Sequence, residues 1–152
     1  MAFDFAGKGA SDGPGEGRLD LDVLAAVRAM RADGTSKIIA IGASKGATGV
    51  IAAAAVDASG IDGLVSLSAP ESSESTDAVA VVASLEVPAL FVAAKLDRSF
   101  DEHAKLMHDT CACRSRELLI VDGSSHGVRM LTGSTEVEVQ AAIDRLLTNV
   151  GV

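Results

Sequence analysis

The chain has 152 residues, of which 48% are hydrophobic, and its 13 Lys and Arg residues against 21 Asp and Glu residues give a net charge of −8. This length suits one domain with a single core, and the negative charge argues against binding to nucleic acid or to an anionic membrane surface through simple electrostatics. With no Trp, no Tyr and only four Phe, the chain also offers few rings on which bases or sugars could stack.

The opening residues, "MAFDFAGKGASDG", lack the cationic and apolar regions of a signal peptide. No stretch of the chain reaches the roughly 18 uninterrupted apolar residues that a membrane span needs. We therefore expect a cytoplasmic protein.

The first third of the chain alternates short apolar runs with longer amphipathic runs, which is typical of a parallel sheet covered by helices. "MAFDF" predicts a short strand, and a glycine-rich loop follows over Gly7–Gly17. A helix is predicted from about Leu19 to Ala32, with acidic residues in its first turn and a glycine after its end. "KIIAIG" predicts a strand near the centre of the sheet, and the next helix is predicted from about Ser44 to Asp57.

The same alternation continues to the end of the chain. Strands are predicted in "GLVSLSAP", "VPALFVAAKLD" and "ELLIVDGSSHG", separated by helices over about Thr76–Leu85 and Ser99–Thr110 and followed by a C-terminal helix. Together these elements predict a single α/β domain over residues 1–152. We expect a three-layer α/β/α sandwich with a mostly parallel sheet of about five strands.

Two predicted helices begin with the spacing of a capping box. Ser99 with Glu102, and Thr135 with Glu138, place a hydroxyl three residues before a carboxylate. In a capping box each of these side chains binds the other residue's backbone N–H, so both pairs predict helix starts.

The two cysteines, Cys111 and Cys113, are separated by one residue, a spacing that rarely satisfies disulfide geometry. We expect free thiols in a reducing compartment. A Cys-x-Cys pair can bind zinc or copper, with His103 and His108 as the nearest further ligands, but the spacing matches no common metal site and we expect no metal. The glycine-rich loop contains neither GxxxxGK[ST] nor a strand-anchored GxGxxG, which disfavours a flavodoxin-like or dinucleotide-binding module and predicts no cofactor.

Three polar residues follow predicted strands. Ser44 follows "KIIAIG", Asp97 follows "PALFVAAKL", and His126 lies in the loop after "ELLIVDG". Because parallel strands end at a common carboxyl edge, where ligands bind, we expect these side chains to meet there. A serine hydroxyl becomes a useful nucleophile when an imidazole takes its proton, and the imidazole needs a carboxylate to orient it. The set predicts nucleophilic serine chemistry.

Ser44 lies between two glycines at the predicted strand-to-helix turn. Such a turn strains the central residue, and we expect that side chains at Gly42 and Gly46 would collide with the neighbouring strand and helix. The N-terminus of the following helix directs backbone N–H groups towards a developing oxyanion, and the amide of Lys45 is the expected first donor.

Each residue of this set also has a simpler interpretation. Ser44 could be a helix N-cap, and Asp97 could be a solvated loop acid or a cap. Glu71, after "GLVSLSAP", is the alternative acid. His103 and His108 are the alternative bases, although an exposed position on a helix would equally explain them.

Several segments together resemble the α/β-hydrolase family. "GASKG" resembles its GxSxG nucleophile elbow, "AKLDRSF" the segment with its acid, "DGSSHG" the loop with its histidine, and "FDFAGKGASDGP" its early D-x-R-G-x-G-x-S turn. The resemblance implies a serine hydrolase that cleaves a small ester through Ser44, His126 and Asp97, without a cofactor. The short interval between Ser44 and Asp97 implies an esterase-like member without a large lid.

The chain departs from the family pattern in places. Ala6 and Lys8 replace an arginine and a histidine that are frequent in the early turn, and a charged residue, Lys45, follows the nucleophile. The family also has additional strands before the segment matching "MAFDF", and a loop among them supplies the second oxyanion amide. The resemblance therefore implies a truncated form of the fold, with weak activity.

A truncated sheet would leave one edge of "KIIAIG" open. We expect "MAFDF" or a second copy of the chain to cover that edge, and hence a homo-oligomer. The alternative to an enzyme is a non-catalytic domain that binds a ligand or a partner. Within the hydrolase interpretation, esters, thioesters, lactones and peptides remain open as substrates.

Overall fold

The computed structural model describes residues 1–15, 17–56 and 59–152. In chain order its helices and strands are α1 (Leu19–Ala32), β1 (Ile39–Ala43), α2 (Lys45–Ala54), β2 (Gly63–Leu67), β3 (Ser72–Ser73), β4 (Thr76–Asp77), α3 (Ala78–Val82), β5 (Ala89–Ala94), α4 (Phe100–Thr110), β6 (Arg116–Val121) and α5 (Glu136–Val150), with two 3₁₀ turns at Gly127–Leu131 and Gly133–Thr135. Glu16 in the predicted glycine-rich loop, and Asp57, where the second helix was predicted to end, lie outside the described residues.

The centre of the structure is a parallel sheet with the strand order β1-β2-β5-β6. Every residue of β2 and β5 is buried, because these two inner strands are covered on both faces. β1 and β6 are partly exposed. The sequence predicted "KIIAIG" near the sheet centre, but among the described residues its strand pairs with β2 alone and is an edge strand.

Two apolar clusters lie on opposite faces of the sheet. Leu64 and Phe91 face a cluster with residues of α1 to α4, whereas Val65 and Leu90 face a second cluster formed mainly with α5. Neighbouring residues of a strand point to opposite faces, so β2 and β5 each contribute to both clusters. The result is the expected three-layer α/β/α arrangement. In the described ranges, no helix is both long enough and apolar enough to cross a lipid bilayer.

The segment Met1–Phe5 does not form the predicted strand. Asp4 instead organises a local turn, accepting hydrogen bonds from the Ala10 N–H at its carboxylate (3.0 Å) and from the Ser11 hydroxyl at its carbonyl (2.6 Å). Phe5 packs against the cluster under α1 to α4. These local bonds hold the segment in a loop, so the described sheet has four strands rather than about five.

The predicted capping boxes do not form. Ser99 and Thr135 do occupy the N-cap positions of α4 and α5, but neither side chain makes a capping hydrogen bond. The Thr135 hydroxyl instead donates to the Met130 carbonyl (3.0 Å), which ties α5 to the preceding 3₁₀ turn.

The two cysteines are joined by a disulfide, with their Cα atoms 5.2 Å apart. Cys111 follows α4 with an extended backbone (φ −59°, ψ 133°), and this bend at the helix end brings Cys113 back towards it. The separation lies in the usual range for disulfides of about 4.4–6.8 Å. The prediction of free thiols was therefore wrong.

Candidate active site

Ser44 occupies a sharp turn between β1 and α2. Its backbone has φ 50° and ψ −125°, a conformation with positive φ that residues other than glycine rarely adopt. The turn is held by the Ser44 N–H, which donates to the Leu67 carbonyl (2.8 Å), and by the Ser44 carbonyl, which accepts from the Ala47 N–H (2.9 Å). Ser44 occupies the N-cap position of α2, but its hydroxyl makes no capping bond to the helix.

Of the two glycines that flank Ser44, only Gly42 is required by close packing. A Cβ atom at Gly42 would lie 2.7 Å from the Ala47 Cα, and closer still to the Gly46 carbonyl oxygen and a Val50 methyl group. A Cβ at Gly46 would meet only the ring of Phe5, at an ordinary distance of 3.7 Å. The expected collision is thus present at Gly42, where α2 crosses β1, and absent at Gly46.

Asp97 and His126 are brought together at the carboxyl edge of the sheet. Asp97, only 7% exposed, lies in the turn after β5, where its N–H donates to the Ala94 carbonyl (3.0 Å) and its own carbonyl accepts from the Phe100 N–H (3.0 Å). Its Oδ2 lies 2.7 Å from Nδ1 of His126. Contact through Nδ1 leaves Nε2 of the imidazole available on the other side of the ring.

The loop that carries His126 packs against the turn that carries Ser44. Gly127 has φ 56°, and a Cβ there would lie 3.2 Å from the Ala43 Cβ and 3.9 Å from the Ser44 nitrogen. The hydrogen bonds of the described residues do not include one between Ser44 and His126. Nucleophile and base often come into hydrogen-bonding contact only when substrate binds.

The alternative acid and bases have other partners. Glu71 Oε1 lies 3.6 Å from Nε2 of His103. The ring of Phe100 contacts both histidines, with its centroid 5.6 Å from that of His103 and 4.7 Å from that of His126. His108 lies in the last turn of α4. The carboxylate that contacts His126 is therefore that of Asp97, and Glu71 belongs to a separate pair.

Ser68 is part of this arrangement, although the sequence prediction did not include it. It follows β2 directly, is fully buried and has φ 52°. Its hydroxyl donates to Asp97 Oδ2 (2.9 Å) and accepts from the Gly127 N–H (3.1 Å). The signal that identified Ser44 and Asp97, a polar residue just after an apolar strand, is also present in "GLVSLSAP" and could have identified Ser68.

Lys45 begins α2, and its backbone N–H is one of the first helical amides, which have no intrahelical acceptor. Its side chain forms an ion pair with Glu74, in the turn between β3 and β4. The hydrogen bond from the Lys45 ammonium, together with its charge, lowers the pKa of Glu74 below its ordinary value. This pair borders a cavity of about 410 Å³ that is also lined by Phe5, Lys8, Leu19 and Asp22.

Within the described ranges, no group of three or more His, Cys, Asp or Glu side chains is placed so that it could hold a metal ion. The sulfurs of the two cysteines, which were considered as ligands together with His103 and His108, are bonded to each other.

Neither a protein-family model nor a curated protein matches the chain. Solved structures do. Dienelactone hydrolase from Anabaena variabilis superposes with a TM-score of 0.72 at 18% identity, covering 89% of this chain and 61% of that one. The monoacylglycerol lipase of Paleococcus ferrophilus superposes with a TM-score of 0.78 at 14% identity, covering 99% of this chain and 83% of the lipase.

An esterase from Pyrococcus furiosus has a TM-score of 0.76 at 18% identity, with 97% of this chain and 70% of the esterase covered. The chain has the α/β-hydrolase fold. Identities this low establish the fold alone, and the chain spans less than two thirds of the dienelactone hydrolase. Within this fold Ser44, Asp97 and His126 follow β1, β5 and β6.

Proposed function

We propose that the chain is a serine hydrolase that cleaves a small carboxylic ester, or a related acyl compound, through an acyl-enzyme on Ser44. The observation that carries this proposal is the bond between Asp97 and His126 in a loop packed against the strained turn of Ser44. An oriented imidazole beside a serine at a strand-to-helix turn is the arrangement that activates a hydroxyl for acyl transfer.

In the proposed reaction the Ser44 hydroxyl attacks the carbonyl carbon of the ester while Nε2 of His126 takes its proton. Asp97 holds Nδ1 of the ring and stabilises the imidazolium that forms. The backbone N–H of Lys45 donates to the oxyanion of the tetrahedral intermediate. His126 then returns the proton to the departing alcohol, and a water molecule activated by the same imidazole hydrolyses the acyl-enzyme.

The cavity beside Lys45 is the proposed location for part of the substrate. This cavity lies next to the turn of Ser44. Phe5 and Leu19 form an apolar part of its wall, and Lys8 and the Lys45–Glu74 pair form a charged part. A small ester fits its volume of about 410 Å³, since small-molecule sites usually occupy roughly 300–1,000 Å³.

An active-site-directed fluorophosphonate tests the proposal. We expect one covalent adduct on Ser44, together with turnover of p-nitrophenyl acetate, and loss of both in Ser44→Ala. Ser36→Ala, which removes an exposed hydroxyl in the loop before β1, serves as the control and should keep both. Absence of an adduct on the folded wild-type chain would favour the alternative, a domain that binds a ligand or partner without catalysis.

We also propose that the chain self-associates through β1. One side of this strand has no partner strand among the described residues, and Ile41 on it is 50% exposed. Open, apolar strand edges readily pair with another chain.

A further inference from the structure

We propose that Ser68 is a positioning residue that holds the Asp97 carboxylate and the His126 loop in a single arrangement. The proposal deepens the proposed hydrolase function and rests on it. Ser68 acts through Asp97, which orients the imidazole, and through the loop of His126, which takes the proton.

The Ser68 hydroxyl is fixed by its surroundings. The residue lies at the carboxyl end of an inner strand, is fully buried, and its backbone N–H donates to the Val92 carbonyl at 2.8 Å. A hydroxyl has one proton to donate, and here that proton goes to Asp97 Oδ2 at 2.9 Å. A lone pair of the same oxygen accepts from the Gly127 N–H at 3.1 Å.

These two bonds connect the acid to the histidine loop. Asp97 Oδ2, which accepts from Ser68, is also the oxygen that lies 2.7 Å from Nδ1 of His126. Gly127, which donates to Ser68, is the next residue after His126. A single buried hydroxyl therefore restrains the carboxylate from one side and the backbone of the loop from the other, so that the distance between acid and imidazole is set from both ends.

The backbone of Ser68 provides a way to separate this role from simple packing. Its φ of 52° is in the left-handed region, where glycine is less strained than serine. Ser68→Gly thus relieves backbone strain while it removes the hydroxyl. If Ser68 mattered only for stability, Ser68→Gly would lower turnover less than Ser68→Ala. If the hydroxyl positions Asp97, Ser68→Gly should lower turnover as much as Ser68→Ala does.

The hydroxyl also affects charge. A hydrogen bond donated to a carboxylate stabilises its negative charge and makes it a weaker base. Without Ser68, Asp97 would lose both this hydrogen bond and a restraint on its position, so its interaction with the protonated imidazole of His126 would change. The midpoint of the rise of kcat/KM with pH should then shift, a change that loss of folded protein cannot produce.

The experiment compares Ser68→Ala, Ser68→Gly and Ser68→Cys with wild type, and uses Ser66→Ala as the matched control. Ser66 is also a buried serine, two residues before Ser68 and within β2. We expect Ala and Gly to lower kcat about 10- to 100-fold, by analogy with the loss seen when a residue that orients a metal ligand is removed. KM should change little, and the pH midpoint should shift. Cys, a weak donor of similar size, should fall between these variants and wild type.

A Ser68→Gly variant with wild-type kcat and an unchanged pH profile would overturn the proposal, as would a loss equal to that of Ser66→Ala. Failure of the proposed function gives a different result, namely no Ser44-dependent turnover in wild type. In that case NMR tests the positioning role of Ser68, by following the His126 ring proton signals against pH in wild type and in Ser68→Gly. A shifted midpoint supports positioning by Ser68, and an unshifted one overturns it.

Discussion

Oδ2 of Asp97 lies 2.7 Å from Nδ1 of His126, although 29 residues separate them in the chain. The contact depends on two neighbouring parallel strands, β5 and β6, whose carboxyl ends lie side by side. Because Asp97 is buried, its charge is poorly screened by water, and the imidazole is the group placed to balance it when protonated. The imidazole of His126 is therefore held at Nδ1 by Asp97, with Nε2 left to exchange a proton.

We expect Ser44→Ala and His126→Ala each to remove nearly all turnover of an activated ester. The double variant should be hardly slower than either single variant, because residues that act in one proton transfer lose their effect together. Steady-state rates for the three variants, with folding checked by circular dichroism, measure this. Additive losses would show that the two side chains act independently.

Asp97→Asn should reduce turnover on the order of 10⁴-fold, since a neutral amide cannot stabilise the imidazolium and can favour the wrong tautomer of the ring. Glu71→Gln is the matched control, because Glu71 contacts His103 rather than His126. Its rate should stay close to that of wild type. A severe effect at Glu71 with a mild one at Asp97 would reverse the assignment of the acid.

The sequence predicted that Ser44, Asp97 and His126 each follow an apolar strand of one sheet, and the structure places them after β1, β5 and β6. Their catalytic role stays a prediction. The sequence also predicted α1 with the bounds that the structure has, since the acidic first turn and the glycine after the helix mark both ends. Such signals come from residues that are close in the chain, so they predict the bounds of single helices and strands well.

The features that were missed depend on contacts between distant residues. Nothing in "MAFDF" shows that Asp4 prefers to bind Ala10 and Ser11, and hence that no strand forms. The apolar character of "KIIAIG" does not distinguish an inner strand from an edge strand that packs against helices. The role of Ser68 is visible only once Asp97 and Gly127 lie on either side of it.

Gly42→Ala should destabilise the fold by about 1–3 kcal/mol or more, because the added methyl group would overlap the backbone of α2 and force it away from β1. Gly46→Ala is the control at the other side of Ser44. It meets only Phe5 and should be neutral or stabilising by up to about 1 kcal/mol, since alanine favours the helix. Urea unfolding of both variants, with equal m-values, measures the difference. Equal stabilities would contradict the close approach at Gly42.

The Lys45–Glu74 pair should make a small, pH-dependent contribution to stability. The pKa of Glu74 is lower in the folded chain than in the unfolded chain, so ionised Glu74 stabilises the folded state above its unfolded pKa. This contribution disappears as the pH falls through the pKa of Glu74 in the folded chain. The melting temperature of wild type should exceed that of Glu74→Gln at neutral pH, and the difference should vanish in acid and shrink in high salt. A difference that persists in acid would show that Glu74 acts through packing instead of charge.

If β1 pairs with a second copy, a charge on its open edge should prevent association. Edge strands in natural proteins often carry lysine, because burying an ammonium group between two strands is unfavourable. We expect wild type to sediment as a dimer or larger species at micromolar concentration and Ile41→Lys to sediment as a monomer, since Ile41 is exposed on that strand. Val137→Lys, at a more exposed site on α5, adds the same charge away from the edge and should leave association unchanged. A wild-type chain that stays monomeric over the whole concentration range would contradict pairing through β1. It would favour cover of this edge by the Met1–Phe5 segment, which lines a groove of about 280 Å³ together with β1.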